Sequence, residues 1–402
     1  VYRTKCGLCG TGDLNQFLDL GKTPLADRFP ATRDEVEEFW PLRVAMCERC
    51  KLVQLMDIVP DDVLYGSDYA YYTGAASSHN PYWDQYATSL KARFPGGGKL
   101  LEIACNDGSL LTRLFDHGFD VVGIDPATGP LSQIHDSIPT HDASFGLNAA
   151  EKLVDLYGQF DIVVANNVIA HVSDLEDFVK GISRVTHRDS VIVIEVQYLG
   201  DLLTGNQFDH FYHEHRSFFS LRTLERKFTG LGFTIFDVQR TPAQGGSIRV
   251  FLSKGSNKYP IQSRVADMKV SEKWLDEWFT MESMEGRVQH IVTSLYDMVY
   301  EEITAGKLVA AYGATAKSCT LLNQISGMAD LIDWVQDTTP WKQGRFTPGT
   351  KIQVLAPKDE PVRPDVYLLT AWNYAPAILR QEAKFMADGG RFLVPLPKPV
   401  IL

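Results

Sequence analysis

Two Cys-x-x-Cys pairs, Cys6-Gly7-Leu8-Cys9 and Cys47-Glu48-Arg49-Cys50, constrain the start of this chain more than any other feature. Each pair can place two thiolates on one ion, and two pairs complete a tetrahedral four-sulfur site. Each knuckle must turn tightly, which suits Gly7 and Gly10 in the first. Four thiolates leave no open coordination position, so a structural zinc on Cys6, Cys9, Cys47 and Cys50 is expected. Two unrelated redox pairs are the competing reading. Six cysteines in 402 residues do not make a disulfide scaffold, and a reducing cytoplasm is the expected setting. Cys105 and Cys319 stand alone and read as core or pocket thiols.

From residue 99 the chain changes character. Residues 100–104, 121–124, 162–165 and 191–196 are apolar or nearly so, with helical stretches between them. Such runs predict buried parallel strands of a doubly wound sheet. Residues 233–238 and 247–252 read as a closing antiparallel pair. A helical block is predicted over 262–304, followed by a second α/β unit with strands at 307–312, 331–335, 366–369 and 391–394. The predicted fold class is α/β in three parts. These are a zinc-binding domain (1–65), a Rossmann-like doubly wound sheet with a tyrosine-rich, helical connector at its start (66–255), and a second Rossmann-like α/β domain (256–402).

The net charge is −11 and no long basic run occurs. Neutralising many phosphates needs a basic stripe, so nucleic acid is not an expected partner. No stretch reaches the roughly 18 apolar residues of a membrane span, and residues 1–6 carry no signal-peptide core, so no membrane partner is expected. Oligomeric state stays open, with a monomer as the expectation.

Residues 100–111 have the form of a strand, a polar tight turn and a helix start, and carry Glu102, Ala104, Asn106, Asp107 and Gly108. This resembles the class I methyltransferase fold, in which that turn passes under the methionine part of S-adenosylmethionine. Gly108 permits close backbone approach, and helix-start amides meet polar ligand atoms. Where the usual E-x-G-x-x-x-G pattern has its first glycine, this chain has Ala104. The next strand ends on Asp125-Pro126, about 20 residues on, where a carboxylate holds ribose hydroxyls; NAD-binding folds use the same device. Asp142-Ala143 fits the adenine contact. Residues 160–172, which include Asn166, Asn167 and His171, match the fourth-strand segment of methyltransferases. No G-x-G-x-x-G follows a strand, which counts against NAD.

Asp209-His210-Phe211-Tyr212-His213-Glu214-His215-Arg216 gathers three histidines, two acids and a tyrosine after the 191–196 strand. Strand C-terminal ends are where open α/β sheets build their sites. His213-Glu214-His215 is not the H-E-x-x-H zinc motif. Together with the cysteine pairs, the E-x-x-x-N-D-G turn, Gln244-Gly245-Gly246-Ser247, residues 311–317 and residues 342–349, the segment resembles the nucleotide-sugar C-methyltransferases that build branched deoxysugars. The resemblance spans nearly the whole chain.

That resemblance implies methylation of a carbon next to the 4-keto group of a nucleoside-diphosphate (dTDP or GDP) 6-deoxysugar, with C-3 favoured and C-5 the alternative. Such a carbon is nucleophilic only after its proton is removed, so a base and an enolate stabiliser are needed. By the family's motif His215 is the base. Tyr212 and Glu214 would orient the sugar or stabilise the enolate, and His171 with Tyr71 or Tyr72 would lie near it. Gln197, Arg216, Gly246, Ser247, Lys317 and Tyr374 are the expected substrate contacts, Lys317 toward the diphosphate. An O- or N-methyltransferase on another small molecule, or a non-catalytic S-adenosylmethionine-binding protein, are the alternatives.

Overall fold

The computed structural model describes residues 1–64, 72–75, 80–255 and 258–402. Tyr71 and the expected 65/66 boundary lie outside the described residues. Three sheets organise the described residues. The first joins strands β1 (Leu14–Pro24), β2 (Phe39–Cys47), β3 (Val53–Leu55) and β9 (Ser217–Phe218) in the order β1-β2-β3-β9, all antiparallel. The last of these strands comes from the histidine-rich segment, far along the chain.

The central sheet adds β4 (Lys99–Ile103), β5 (Asp120–Asp125), β6 (Thr140–Asp142), β7 (Phe160–Asn166), β8 (Thr186–Gln197), β10 (Phe233–Thr241) and β11 (Ser247–Lys254). Its order is β10-β11-β8-β7-β4-β5-β6, parallel from β8 to β6, with the predicted antiparallel pair closing one edge. The apolar runs become β4, β5, β7 and β8 because helices cover both faces: Leu101, Val163 and Ile192 belong to one core, Leu100, Ile162 and Val193 to another. The order reverses between β4 and β7. An open sheet holds ligands in the crevice beyond its strand ends at such a point.

The third sheet has the order β14-β13-β12-β15-β16-β17, built from β12 (Val309–Tyr312), β13 (Val335–Gln336), β14 (Val354–Leu355), β15 (Val366–Leu368), β16 (Arg391–Val394) and an antiparallel β17 (Val400–Ile401). One continuous core joins the N-terminal sheet to this unit, with Phe17, Leu42 and Val44 packing with Val288, Ile291 and Leu295 of the helix Met284–Thr304.

Two expectations need correction. The helical block is not continuous: Ser263–Ser271 and Met284–Thr304 are helices, separated by a 3-10 turn Lys273–Asp276 and a short helix Trp278–Glu282. The Glu272 carboxylate accepts from Leu221 and Arg222 backbone N–H, and Arg222 pairs with Asp276, so tertiary bonds set this break. The strand predicted at 331–335 shrinks to Val335–Gln336, because Leu331 and Ile332 donate back to Met328 O and continue the preceding turn.

Candidate active site

Beyond the ends of β4 and β7 the backbone is unusual. Ala104, Asn106 and Asn167 have φ of 59°, 50° and 52°, a region non-glycine residues seldom occupy. Ala104 thus adopts the left-handed conformation at the position where the usual pattern has glycine. Gly108 has φ 73°, and a Cβ there would come within 2.8 Å of Ile134. Asp125 Oδ2 accepts from Asn106 N at 3.0 Å and Oδ1 from Ala127 N at 2.8 Å, fixing the turn against β5. Burial pushes the Asp125 carboxyl up, and those two N–H groups draw it back.

Glu102 Oε2, Asn166 Nδ2 and Asn167 Oδ1 are buried without partners among the described residues. Orphaned donors and acceptors around a strained turn fit a polar ligand with an amino-acid end, as S-adenosylmethionine has. Asp142 ends β6 and Ala143 N returns to Asp125 O, which brings both to the same rim; Pro126 follows Asp125 there. The connector closes over the turn: Thr73 N donates to Asn106 Oδ1 at 2.9 Å and Gly74 N to Asp107 Oδ2 at 2.6 Å. Tyr72 also belongs to this rim. Its hydroxyl lies 3.1 Å from where a Cβ on Gly129 would stand, and no ring contact or hydrogen bond among the described residues joins it to His215.

The four cysteine sulfurs also fit their ion. All lie within 4.8 Å of one another, with Cys6–Cys50 at 3.4 Å and Cys9–Cys47 at 3.6 Å. Tetrahedral Zn–S bonds of about 2.3 Å require sulfurs under 4 Å apart, roughly as seen. Among the described residues this is the one cluster that could hold a metal, and the histidines form none.

His215 is buried at the heart of the second cluster. Its Nδ1 lies 3.0 Å from His210 O, and a carbonyl only accepts, so Nδ1 carries the proton. Nε2 then presents a lone pair, facing the Tyr212 hydroxyl at 2.7 Å. The His171 ring stands edge-on at 4.8 Å between centroids. Burial, then the neighbouring His171, His210 and Lys317, pushes His215 well below the usual histidine range; burial and Arg216 bring His171 to about 4. The cluster is a neutral one with a single oriented basic nitrogen.

Backbone bonds from three units position it. Arg216 and Ser217 N donate to Ala170 O, which brings His171 beside His215. Ser217 and Phe218 pair with Gln54 and Val53 of the N-terminal sheet. Thr320 of the C-terminal unit donates to Phe211 O. Tyr212 packs with Ala26 and Cys319, one from each flanking unit.

The expected substrate contacts divide. Lys317 is buried and donates to Gln244 Oε1 at 3.0 Å, facing the histidine cluster from the C-terminal unit. Gln197 ends β8, with its side chain buried. Arg216 Nη2 pairs with Asp61 at 2.5 Å and donates to Val59 O at 2.8 Å, while its Nε and Nη1 are buried without partners among the described residues. Ser247 Oγ bonds Ala243 O, and a Cβ on Gly246 would strike Asp201 at 2.1 Å, so both build their turn. Tyr374 lies in the turn Trp372–Tyr374. Glu214, buried near Asp27, is pushed up to about 8. Asp27, half-buried between β1 and β2, carries no sequence signal; only the tertiary fold brings it here.

Three family models match the chain: "Putative zinc binding domain" over 6–65, "Methyltransferase domain" over 79–238 and "C-methyltransferase C-terminal domain" over 242–397. C-methyltransferase NovU from Streptomyces niveus is 32% identical over 406 residues, covering 99% of this chain and 96% of that protein. The chain belongs to the C-methyltransferases. This C-methyltransferase is an S-adenosylmethionine-dependent enzyme with an N-terminal four-cysteine domain suited to structural zinc. Putative methyltransferase YqeM from Bacillus subtilis shares 29% identity over 124 residues, 30% of this chain and 50% of that protein. Magnesium protoporphyrin IX methyltransferase from Synechocystis, solved with bound SAM, aligns at 15% identity over 46% of this chain and 86% of that one, with TM-score 0.34. No described helix of the C-methyltransferase is long and apolar enough to cross a membrane.

The crevice yields a first prediction. Asp125→Ala should weaken S-adenosylmethionine binding by about 1–3 kcal/mol, the usual cost of a lost charged hydrogen-bond partner. Calorimetry checks this; unchanged affinity would remove Asp125 from the cofactor site.

Proposed function

We propose that the enzyme methylates a carbon alpha to the 4-keto group of a nucleoside-diphosphate 4-keto-6-deoxysugar, C-3 in preference to C-5. The observation that carries this is the locked tautomer of His215. Oxygen and nitrogen acceptors carry a lone pair before any proton leaves, whereas a carbon acid is nucleophilic only after a base aimed at it has removed its proton. S-adenosylmethionine supplies the electrophilic methyl group. His215 Nε2 takes the alpha proton, and the Tyr212 hydroxyl, now bonded to Nε2, turns to the sugar. Glu214 is pushed up to about 8 by burial, with Asp27 adding to the effect. That shift favours its protonated form, which can donate to the developing enolate oxygen, as a carboxylic acid kept neutral in an apolar site does. His171, the cofactor set around Asp125 and the Lys317 side of the cleft complete the assignment, with Lys317 toward the diphosphate.

The domain limits 1–65, 66–255 and 256–402 and a cytoplasmic setting belong to the same proposal. A panel of dTDP- and GDP-linked 4-keto sugars, with the product's methyl located by NMR, tests it. A methyl on oxygen or nitrogen would defeat the enolate mechanism.

A further inference from the structure

Among the buried polar atoms of the segment carrying the base that nothing described satisfies, three lie on the neighbouring Asp209 and His210. Asp209 and His210 lie in the turn Phe208–His210 and are 0% and 1% exposed. Trp372 Nε1 donates to Asp209 Oδ2 at 2.5 Å, but Oδ1 has no partner, and neither does either ring nitrogen of His210. An unpartnered buried polar atom carries its full desolvation cost, and native structures keep few of them. Three in adjacent side chains point to a ligand that completes them.

Their place relative to the base is defined. The His210 ring stacks on His215, with centroids 6.2 Å apart and planes 27° apart. Trp372 meets the same ring edge-on, with centroids 6.2 Å apart. The unpartnered atoms of His210 thus lie on a ring next to His215.

The ligand's chemistry follows from the donors present. A neutral imidazole offers one donor and one acceptor. Burial pushes Asp209 up to about 7, toward its protonated form, while Trp372 and Lys317 favour the carboxylate. An alcohol matches either form, donating to the carboxylate or accepting from the acid. The Lys317 ammonium acts on both residues and disfavours a second cation there.

We infer that Asp209 and His210 form a hydroxyl-recognition subsite for the acceptor sugar, held in place by Trp372, and that it selects which hydroxyl pattern the enzyme accepts. This rests on the sugar reading above. Trp372 is a positioning residue, acting through Asp209.

The test measures binding by calorimetry in the presence of S-adenosylhomocysteine. The probes are dTDP- and GDP-linked 4-keto-6-deoxyhexoses with the 2- and 3-hydroxyls intact or removed one at a time. Loss of one of the two hydroxyls should weaken wild-type binding about 10–100-fold. In Asp209→Asn and His210→Phe the same loss should cost less than about threefold, because the partner is already gone. Unchanged S-adenosylhomocysteine affinity shows that the variants are folded. If either fails to fold, Trp372→Phe alters neither recognition side chain and should still blunt the discrimination. Wild-type indifference to both hydroxyls, or variants that keep full discrimination, would overturn the subsite while leaving the sugar reading intact. Failure to bind any keto sugar would overturn the sugar reading itself.

Discussion

Asparagine in place of His215 should lower carbon methylation about a hundredfold to ten-thousandfold, the usual cost of a lost general base, with little change in S-adenosylmethionine affinity. Asparagine keeps much of the side chain's size and can still donate to His210 O, so the turn survives while basicity is lost. Wild-type enzyme given a 4-keto sugar in heavy water should exchange the alpha hydrogen for deuterium, and the substitution should abolish exchange and methylation together. Tyr212→Phe and Glu214→Gln should cost less, since they orient or polarise but do not accept the proton. Near-normal methylation by His215→Asn would transfer the base role to His171.

The depressed titration of these histidines adds a signature in pH. A lowered pKa means the proton leaves at lower pH, so His215 is already the free base wherever the medium lies above that value. The acid limb of kcat/KM, which reports the free enzyme, should therefore lie well below pH 6.5. Stability should follow the same sign. Between about pH 6.5, where unfolded histidine titrates, and about 4, where His171 does, the unfolded chain binds protons that native His171, His210 and His215 refuse. Stability is full above this window and falls as pH drops through it. An acid limb near pH 7 would contradict the buried neutral cluster.

The central sheet was legible because its strands are buried on both faces. An apolar run such as Ile162–Ala165 needs no knowledge of its partners. The N-terminal strands β1 and β2 were not legible. Their pairing slips between Gln16 and Leu18 and between Asp19 and Lys22, and each irregularity breaks the alternation that would reveal a strand. Ser217–Phe218 is too short to read as a strand and owes its existence to a sheet made elsewhere in the chain.

The site divides the same way. Motif spacing marks the cysteines, which the fold brings together, and offers the Asn106–Gly108 turn, Asp125 and His215 as candidates, because each chemistry demands its residues close in sequence. Arg216 reads as a substrate contact, since charge in a catalytic segment suggests one; its Nη2 ties that segment to Val59 and Asp61, while Nε and Nη1 are buried without partners among the described residues. Asp27, Trp372 and the buried, unpartnered atoms of Asp209 and His210 depend on three units meeting, which no local pattern encodes.

That meeting makes the cysteine site matter for catalysis without touching the chemistry. Metal analysis should give about one zinc per chain, with the four thiols free of disulfide. Cys47 ends β2, its N–H bonds Leu52 O, and β2 pairs with β3, which carries β9 on its other edge. Leu55 N also donates to Arg216 O at 3.0 Å. The strand that follows His215 is thus the outer member of a sheet whose first knuckles carry the four-cysteine cluster. Structural zinc supplies on the order of 10 kcal/mol or more to small domains that depend on it. Cys47→Ser should therefore lose the ion, remove hydrogen-exchange protection from β2, β3 and β9 together, and lower the unfolding midpoint. Methylation should fall as a consequence, because His215 is no longer held against His171. S-adenosylmethionine affinity should change little, since the crevice is built on β4, β5 and β7 of a different sheet. Full methylation by a metal-free variant, or a loss of cofactor binding in step with the metal, would sever this link between zinc and the base.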